Sequence, residues 1–464
     1  MSCDDDDSFT TSSSYVLTFG VDTISMDTVF STVPSSMKEF WVYNRSGEGL
    51  RNINVRLEGG NQVGFRVNVD GAYLSSTTGY QISDIEVRNK DSIRVFVELT
   101  SALNYGDEPE YIEDRLIFTL ESGVQQSVVL NAYSWDADFK SSATIAEDAT
   151  FTADRPIVVY GTLTVVEGAT LTIEAGAQLY FHSDASIEVA GTLLCEGTAD
   201  ANVVLRGDRL DNMFDYLPYD YVSGQWNGVH FLESSYGNVL SFTDIHSAYD
   251  GVVADSSAVD RLKLSVENSV IHNCQGTALA THNCVVSIVN TQLSNALGNC
   301  LMIDGGIAYM NNCTLAQFYP YDSARDVAFA FTAETYPLLS LVCRNTLVTG
   351  YADDEVMGTQ GDDATHDFYY YFDHCIIRTP KIETADSVYL VSVTYEEVDD
   401  TVAGGSKHFA KVDTDNLRYD FHLSSVSTAV DGGDATTAMT YDRDGVLRDA
   451  LPDIGAYEYV KEEE

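Results

Sequence analysis

Six short pieces of this 464-residue chain echo one another: SFTDIH, VENSVIH, IVNTQLS, MNNCTLA, CRNTLVT and FDHCIIR. Aligned, they place Thr243, Asn268, Asn290, Asn312, Asn345 and His374 in one register, at spacings of 25, 22, 22, 33 and 29 residues. Gly228, Gly251, Gly276 and Gly298 fall between them at spacings of 23, 25 and 22. Earlier, Gly161-Thr162-Leu163 recurs as Gly191-Thr192-Leu193. A period in the low twenties, built of short strands and not helices, implies a solenoid. One coil cannot bury its inward face alone, so neighbours must stack. This is the register of a right-handed parallel β-helix, and roughly ten coils fit between Ser141 and about Thr401. Asparagine suits a repeated corner because it tolerates left-handed backbone and its amide can stack along the axis. That role for the asparagines is structural.

The first third reads differently. From about Tyr15 the sequence alternates apolar and polar residues between turns, as in Ile93-Arg94-Val95-Phe96-Val97-Glu98-Leu99, where Ile93, Val95, Val97 and Leu99 share a face. Segments near residues 40–44, 63–69, 116–120 and 127–131 behave alike. Several such strands argue an all-β fold that opens with a β-sandwich, over residues 15–135. The β-helix then occupies 141–464, with a closing segment from about residue 401. Residues 1–14 are acidic and serine-rich, a solvated tether.

Charge narrows the partners. The chain has 71 acidic and 25 basic residues, a formal charge of −46. Phosphate recognition needs clustered Lys and Arg, so nucleic acid is excluded as a ligand. Polyanionic glycans are repelled unless divalent cations bridge, which leaves neutral glycans, peptides or another protein. Hydrophobic content of 44% is ample for packed cores. No apolar run approaches the roughly 18 residues a membrane span needs. Beyond Cys3 there are seven cysteines at irregular spacings, with no C-x-x-C pair. They read as small core residues rather than a disulfide framework or a zinc site.

Cys3 followed by Asp4-Asp5-Asp6-Asp7 resembles the start of a mature bacterial lipoprotein. The acidic run resembles the surface-export signal of Bacteroidota lipoproteins, which implies lipid attachment at Cys3 and the outer face of the outer membrane. The order of segments in 15–135 resembles the immunoglobulin-like modules that precede binding or catalytic domains, though it lacks a Cys…Trp…Cys pattern. Along nearly all of 141–464 the chain resembles Bacteroidota surface lipoproteins with a parallel β-helix. Three stretches carry that likeness: Gly207 to Asp211 continuing through Leu217 to Asp220 and Gly224 to Gly228; Asn345-Thr346-Leu347-Val348 with Phe372 to Cys375; and the ending Asp453-Ile454-Gly455-Ala456-Tyr457-Glu458-Tyr459. The ending resembles the closing strand of such β-helices. The resemblance implies an accessory protein that captures glycan or peptide at the cell surface, in the company of a TonB-dependent importer.

For a ligand site, the loop 208–226 interrupts the coils with Phe214, Tyr216, Tyr219, Tyr221 and Trp226 among Asp211, Asp215 and Asp220. Insertions in solenoids project from one face and often line it for binding. Aromatic faces stack on sugar C–H surfaces while carboxylates accept hydroxyl hydrogen bonds. The alternative reading folds this loop over a coil with Trp226 in the core. Phe318-Tyr319-Pro320-Tyr321-Asp322 lengthens the 33-residue coil similarly, and the two loops would form one aromatic groove if they share a side. Asp353, Asp354, Glu355, Asp362 and Asp363 are the candidate oxygen ligands for calcium; a solvated acidic turn is the competing reading. No other cofactor is expected. His246 and His272 differ in register by one, which predicts opposite faces.

Catalytic signals are sparse. The alternative to a binding protein is a polysaccharide lyase, with Lys263, Lys381 or an arginine as base, or another carbohydrate-active enzyme. No G-H-G turn and no H-x-H is present. A binding role therefore leads.

Overall fold

The computed structural model describes residues 8–214, 216–363, 365–383, 385–396, 398 and 403–461. Cys3, the acidic run after it and Asp215 lie outside the described residues. The chain divides into two compact units, Met1–Ala137 and Asp138–Glu464.

In the first unit, two five-stranded sheets contribute to a single core. One contains Thr18–Phe19, Lys38–Tyr43, Ser92–Leu99, Phe65–Val69 and Ala72–Tyr73; the other contains Thr23–Phe30, Gln125–Trp135, Glu110–Thr119, Leu50–Leu57 and Gln81–Val87. Alternation works as period-2 geometry requires: Ile93, Val95, Val97 and Leu99 are all buried, and Arg94 between them is exposed.

The second unit is a parallel β-helix. Its strands fall into three long sheets of 11, 9 and 10 strands, and every coil but the last ones adds a strand to each sheet. The first sheet runs from Asp138–Ser141 to Thr394–Tyr395, pairing in parallel throughout. Inside it an aliphatic ladder climbs through Ile245, Ile271, Leu293, Leu315, Val348 and Ile377, each opposite the next. All six are at most 1% exposed, so the ladder is closed off from bulk solvent. The seven cysteines Cys195, Cys274, Cys284, Cys300, Cys313, Cys343 and Cys375 are buried free thiols of this interior. Burial pushes the Cys195 thiol up to about 12, which leaves it unreactive.

The corners explain the repeat. Asn268, Asn290, Asn312, Asn345 and His374 all have left-handed backbone, with φ of 49°, 44°, 51°, 45° and 50°. In the first aligned piece the left-handed residue is Phe242, at φ 43°, and not Thr243. The SFTDIH register is therefore one residue earlier than its sequence pattern suggests. With that correction His246 and His272 become direct partners on adjacent strands, and they share a face. An aromatic residue at a left-handed corner costs of order 1–2 kcal/mol, and hid the corner from pattern matching.

The asparagine amides do more than stack. Asn290 Nδ2 donates to Asn268 Oδ1 at 3.0 Å and to the Tyr441 carbonyl at 2.8 Å. Asn312 Oδ1 accepts from Met439 N at 2.9 Å, and Asn345 Oδ1 from Asp434 N at 2.8 Å. The corner ladder is thus the dock for the carboxy-terminal chain. The ending from Asp453 to Tyr459 is not a closing strand: it pairs with no strand among the described residues, and several of its backbone N–H groups donate to a corner carbonyl or to side chains. Gly455 N donates to Asn345 O, Ala456 N to Thr314 Oγ1 and Glu458 N to Asp442 Oδ2. Arg448, buried against Glu458 at 3.1 Å, donates to the Gly455 and Ala456 carbonyls and locks the run.

A second core lies outside the coils. Ala316, Leu347 and Ile376 belong to first-sheet strands yet pack with Phe318, Phe409, Phe421, Leu423 and Ile454. The hairpin Phe409–Asp413 with Arg418–Leu423 shares that cover with Ala429 and the ending at Ile454, Ala456 and Tyr457.

Candidate functional site

Away from this apolar patch, first-sheet strands carry polar residues outward. Tyr180 pairs with Arg206, and His246 with His272, which pairs in turn with Ser294. In the neighbouring outward row Val204 pairs with Asp244, Asp244 with Val270, and Val270 with Gln292. The carboxy-terminal hairpin ends over these strands. Between them lies a groove of about 600 Å³ lined by Asp244, His272, Gln292, Ser294, Tyr221, Arg418, Tyr419, Asp420, His422, Asp444 and Tyr457, among others. His422 and Asp444 also line a second concavity of about 1350 Å³, built wholly from the carboxy-terminal segment.

Carboxylates and imidazoles alternate across the floor. His246 Nδ1 sits 2.8 Å from Asp244 Oδ1, and its Nε2 sits 2.9 Å from Asp220 Oδ1. Arg206 reaches the same Asp220 oxygen at 2.5 Å. His272 Nε2 lies 3.3 Å from Asp244 Oδ1, and the two imidazoles stack with centroids 4.8 Å apart. Burial opposes charge on His246, but Asp244 and Asp220 outweigh it and hold the imidazole up at about 9. Burial likewise pushes Asp220 up, yet His246 and Arg206 bring it down to about 2. Asp244 is held well below the usual carboxylate range against its own desolvation by the two histidines.

The opposite wall repeats the motif. His422 bonds Asp444 at 2.8 Å and Asp420 at 2.6 Å, and these partners raise it to about 9. Arg443 pairs with Asp444 at 2.8 Å and donates to Asn202. At neutral pH the groove therefore presents ionised Asp244 and Asp444 beside protonated His422, with buried His246 and its partner Asp220 behind Asp244. A hydrolase that works with two carboxyl groups needs one kept protonated as the acid. Hydrogen bonds and charge from the neighbouring imidazoles and guanidinium groups shift Asp220, Asp244 and Asp444 the other way, against their burial, so none of these carboxyls is kept protonated as such an acid.

The residues expected from sequence scatter around this groove. Tyr221 lines it, with its hydroxyl hydrogen-bonded to Arg418. Tyr216 is 72% exposed and stacks on Phe214. Tyr219 is half-buried under the Arg209 guanidinium, 3.9 Å from its ring. Trp226 is in the core at 1% exposure, stacked on Phe181 at 4.1 Å with its indole N–H donating to the His246 carbonyl. It cannot touch a solvent-borne ligand; it anchors the loop. The two aromatic loops do lie on one side, but they bind each other: Ser223 Oγ meets Tyr319 Oη at 2.8 Å, and Tyr321 Oη donates to the Tyr221 carbonyl at 2.7 Å. Tyr319 is buried and Tyr321 is 41% exposed.

The five acids considered for calcium do not converge. Glu355 turns inward, fully buried, accepting from Ala328 N and Ala352 N, and desolvation raises it to about 7. Asp353, Asp354, Asp362 and Asp363 face solvent, and Asp354 and Asp363 cap their own turns. Among the described residues the groups that do converge are Asp244, His246 and His272, and Asp373, His374 and Asp434. Of the lysines considered as a base, Lys263 is buried with its ammonium on the Leu232 and Ser235 carbonyls, at 2.6 and 3.1 Å. Lys381 is exposed beside Glu383. Neither lines the groove.

Sequence reasoning missed the Asp244–His246–His272 cluster because the corner at Phe242 shifted the register. It missed Asp420, His422 and Asp444 because only the docking of the carboxy-terminal chain brings them here.

No protein-family model matches the sequence, and no curated protein matches it. Among solved structures, the catalytic unit of a thermostable GH87 alpha-1,3-glucanase from Streptomyces thermodiastaticus strain HF3-3 is similar at 10% identity, with 77% of this chain and 88% of that chain covered and a TM-score of 0.27. The catalytic domain of a GH87 alpha-1,3-glucanase in complex with nigerose covers 74% of this chain and 82% of its own, at 10% identity and a TM-score of 0.18. A family 123 glycoside hydrolase from Clostridium perfringens is 7% identical, with 26% of each chain covered and a TM-score of 0.18. Likeness at this level says nothing about the chemistry of the groove.

Proposed function

We propose that this chain is a surface-exposed, lipid-anchored outer-membrane protein that binds neutral carbohydrate in the groove of its β-helix without cleaving it. The observation that carries the binding role is the groove itself: ionised carboxylates and charged imidazoles held by mutual hydrogen bonds, beside Tyr221, Tyr419 and Tyr457. Such a lining accepts and donates to sugar hydroxyls and offers ring faces to sugar C–H surfaces. Cys3 and the acidic run support the anchor, with residues 15–135 as an immunoglobulin-like spacer between membrane and groove. In a Bacteroidota setting the partner is a TonB-dependent importer, to which captured glycan is passed; a peptide ligand is the other candidate cargo.

Calorimetry with a panel of neutral oligosaccharides tests the binding role. One class should bind, Tyr221→Ala should weaken it about tenfold (~1.4 kcal/mol), and no new reducing ends should appear on prolonged incubation. Sugar release at the groove, abolished by Asp244→Asn, would convert the assignment to an enzyme. For the anchor, chain expressed with a signal peptide should be stripped from intact cells by external protease, and Cys3→Ala should free it into the soluble fraction.

A further inference from the structure

We infer that Asp244, His246 and His272 form a binding site for a divalent transition-metal ion of the zinc class, independent of whether the groove binds sugar. Three observations converge on it. His246 Nδ1 and His272 Nε2 come from adjacent strands, yet both aim at the same atom, Asp244 Oδ1, at 2.8 and 3.3 Å. The three candidate donor atoms lie within 4.8 Å of one another. Ligands around a tetrahedral zinc at about 2.0–2.1 Å stand roughly 3.3–3.5 Å apart, so side-chain shifts of about an ångström would close the shell around an ion.

The second observation is the support behind the donors. His246 presents its other nitrogen to Asp220 at 2.9 Å, and Arg206 fixes that carboxylate at 2.5 Å. A carboxylate on the far nitrogen of a ligating imidazole is the arrangement that sets its tautomer and orientation for a metal. The third is access. Asp244 and His272 line the groove, which leaves a coordination position facing solvent.

The donor set chooses the ion. Two nitrogens and one carboxylate suit zinc, cobalt or nickel, whereas calcium wants six to eight oxygens. On binding, the ion takes the position between the two imidazoles and Asp244, and any proton held at a ligating nitrogen is released to solvent. His422 does not form an equivalent site, because its two nitrogens point to different carboxylates, Asp420 and Asp444.

The test uses the full chain, stripped with chelator and titrated with zinc chloride by calorimetry and equilibrium dialysis. One zinc per chain should bind, unaffected by a tenfold excess of calcium. His272→Ala and Asp244→Asn should each lower affinity more than tenfold, and Asp220→Asn should lower it about tenfold through His246. His230→Ala, which removes a histidine paired with Asp255 on another sheet, should change nothing. In the unaltered chain, cobalt should give visible ligand-field bands and shift the proton resonances of two imidazoles, a readout independent of whether any variant folds. Absence of zinc binding, zinc binding that survives His272→Ala in a folded chain, or a cobalt spectrum with only one perturbed imidazole would each overturn the site.

Discussion

The outward face of the first sheet has two halves that differ only in side chains. Along strands bearing Arg206, Asp244, His246, His272, Gln292 and Ser294 it is polar and borders a groove; along those bearing Ala316, Leu347 and Ile376 it is apolar and covered. Backbone pairing is the same on both, and the inward ladder from Ile245 to Ile377 runs unbroken beneath them. A solenoid separates two tasks that a globular fold mixes. Inward residues stabilise coils, and outward residues decide what each stretch of surface meets. Here the apolar stretch holds the carboxy-terminal segment, and that segment's far edge then becomes the second wall of the groove.

The largest expected effect strikes the covered half. Phe421 packs on Phe409 and Phe318 in the outer core. Phe421→Ala should cost about 3–5 kcal/mol, and the loss should be local: proteolysis should clip the segment 403–461 first while the coils keep their β signal. Simultaneous loss of both would show that the cover and the coils fold as one unit.

On the polar half the comparable anchor is Trp226. Its replacement by alanine should cost about 3–5 kcal/mol in urea unfolding, because the indole fills the interior against Phe181. A loss below ~1 kcal/mol would place the ring outside the core.

The charged floor should respond to pH through His246 and Asp220. His246 is held at about 9 against an ordinary 6.5, so its contribution is complete below pH 6.5 and is lost as pH rises through 9. Asp220, held at about 2 against 3.8, contributes fully above pH 3.8 and loses that as pH falls through 2. The part-exposed Asp220 moderates the gain, to about 1–3 kcal/mol. Unfolding free energies of the chain and of His246→Gln, compared between pH 4 and 10, should differ most near pH 4–6.5 and converge above 9. A constant difference across that range would dissociate His246 from the two carboxylates.

Smaller still is the corner at Phe242. Phe242→Asn should stabilise by about 1 kcal/mol by relieving left-handed backbone at φ 43°. Smallest is Tyr216→Ala, on a ring that is 72% exposed, which should move the melting temperature by no more than the equivalent of about 0.5 kcal/mol. A larger loss would mean that its stack on Phe214 holds the loop.

Much of the fold was legible in the chain. Corner asparagines, short aliphatic strands and a period near 22 residues are local signals, written wherever the backbone must turn left-handed and the next rung must match. They specify stacked parallel coils without knowledge of anything distant in sequence, because each coil needs only its neighbour. The burial of Trp226 was one of two readings, and only packing against Phe181 chose between them. The groove was another matter. Tyr221 sits in a loop visible from composition, but Arg418, which bonds its hydroxyl, and Asp420, His422 and Asp444, which line the same groove, come from a chain segment about two hundred residues away. No periodicity records that docking, which depends on a few apolar contacts at Leu347 and Ile376 and on amides of the corner ladder whose partners the sequence does not name. The sequence by itself determined the coil, its interior and its corners, since these follow from nearest-neighbour geometry. Tertiary structure alone decided which outward residues are covered and which charges face one another, because that depends on where a distant segment comes to rest.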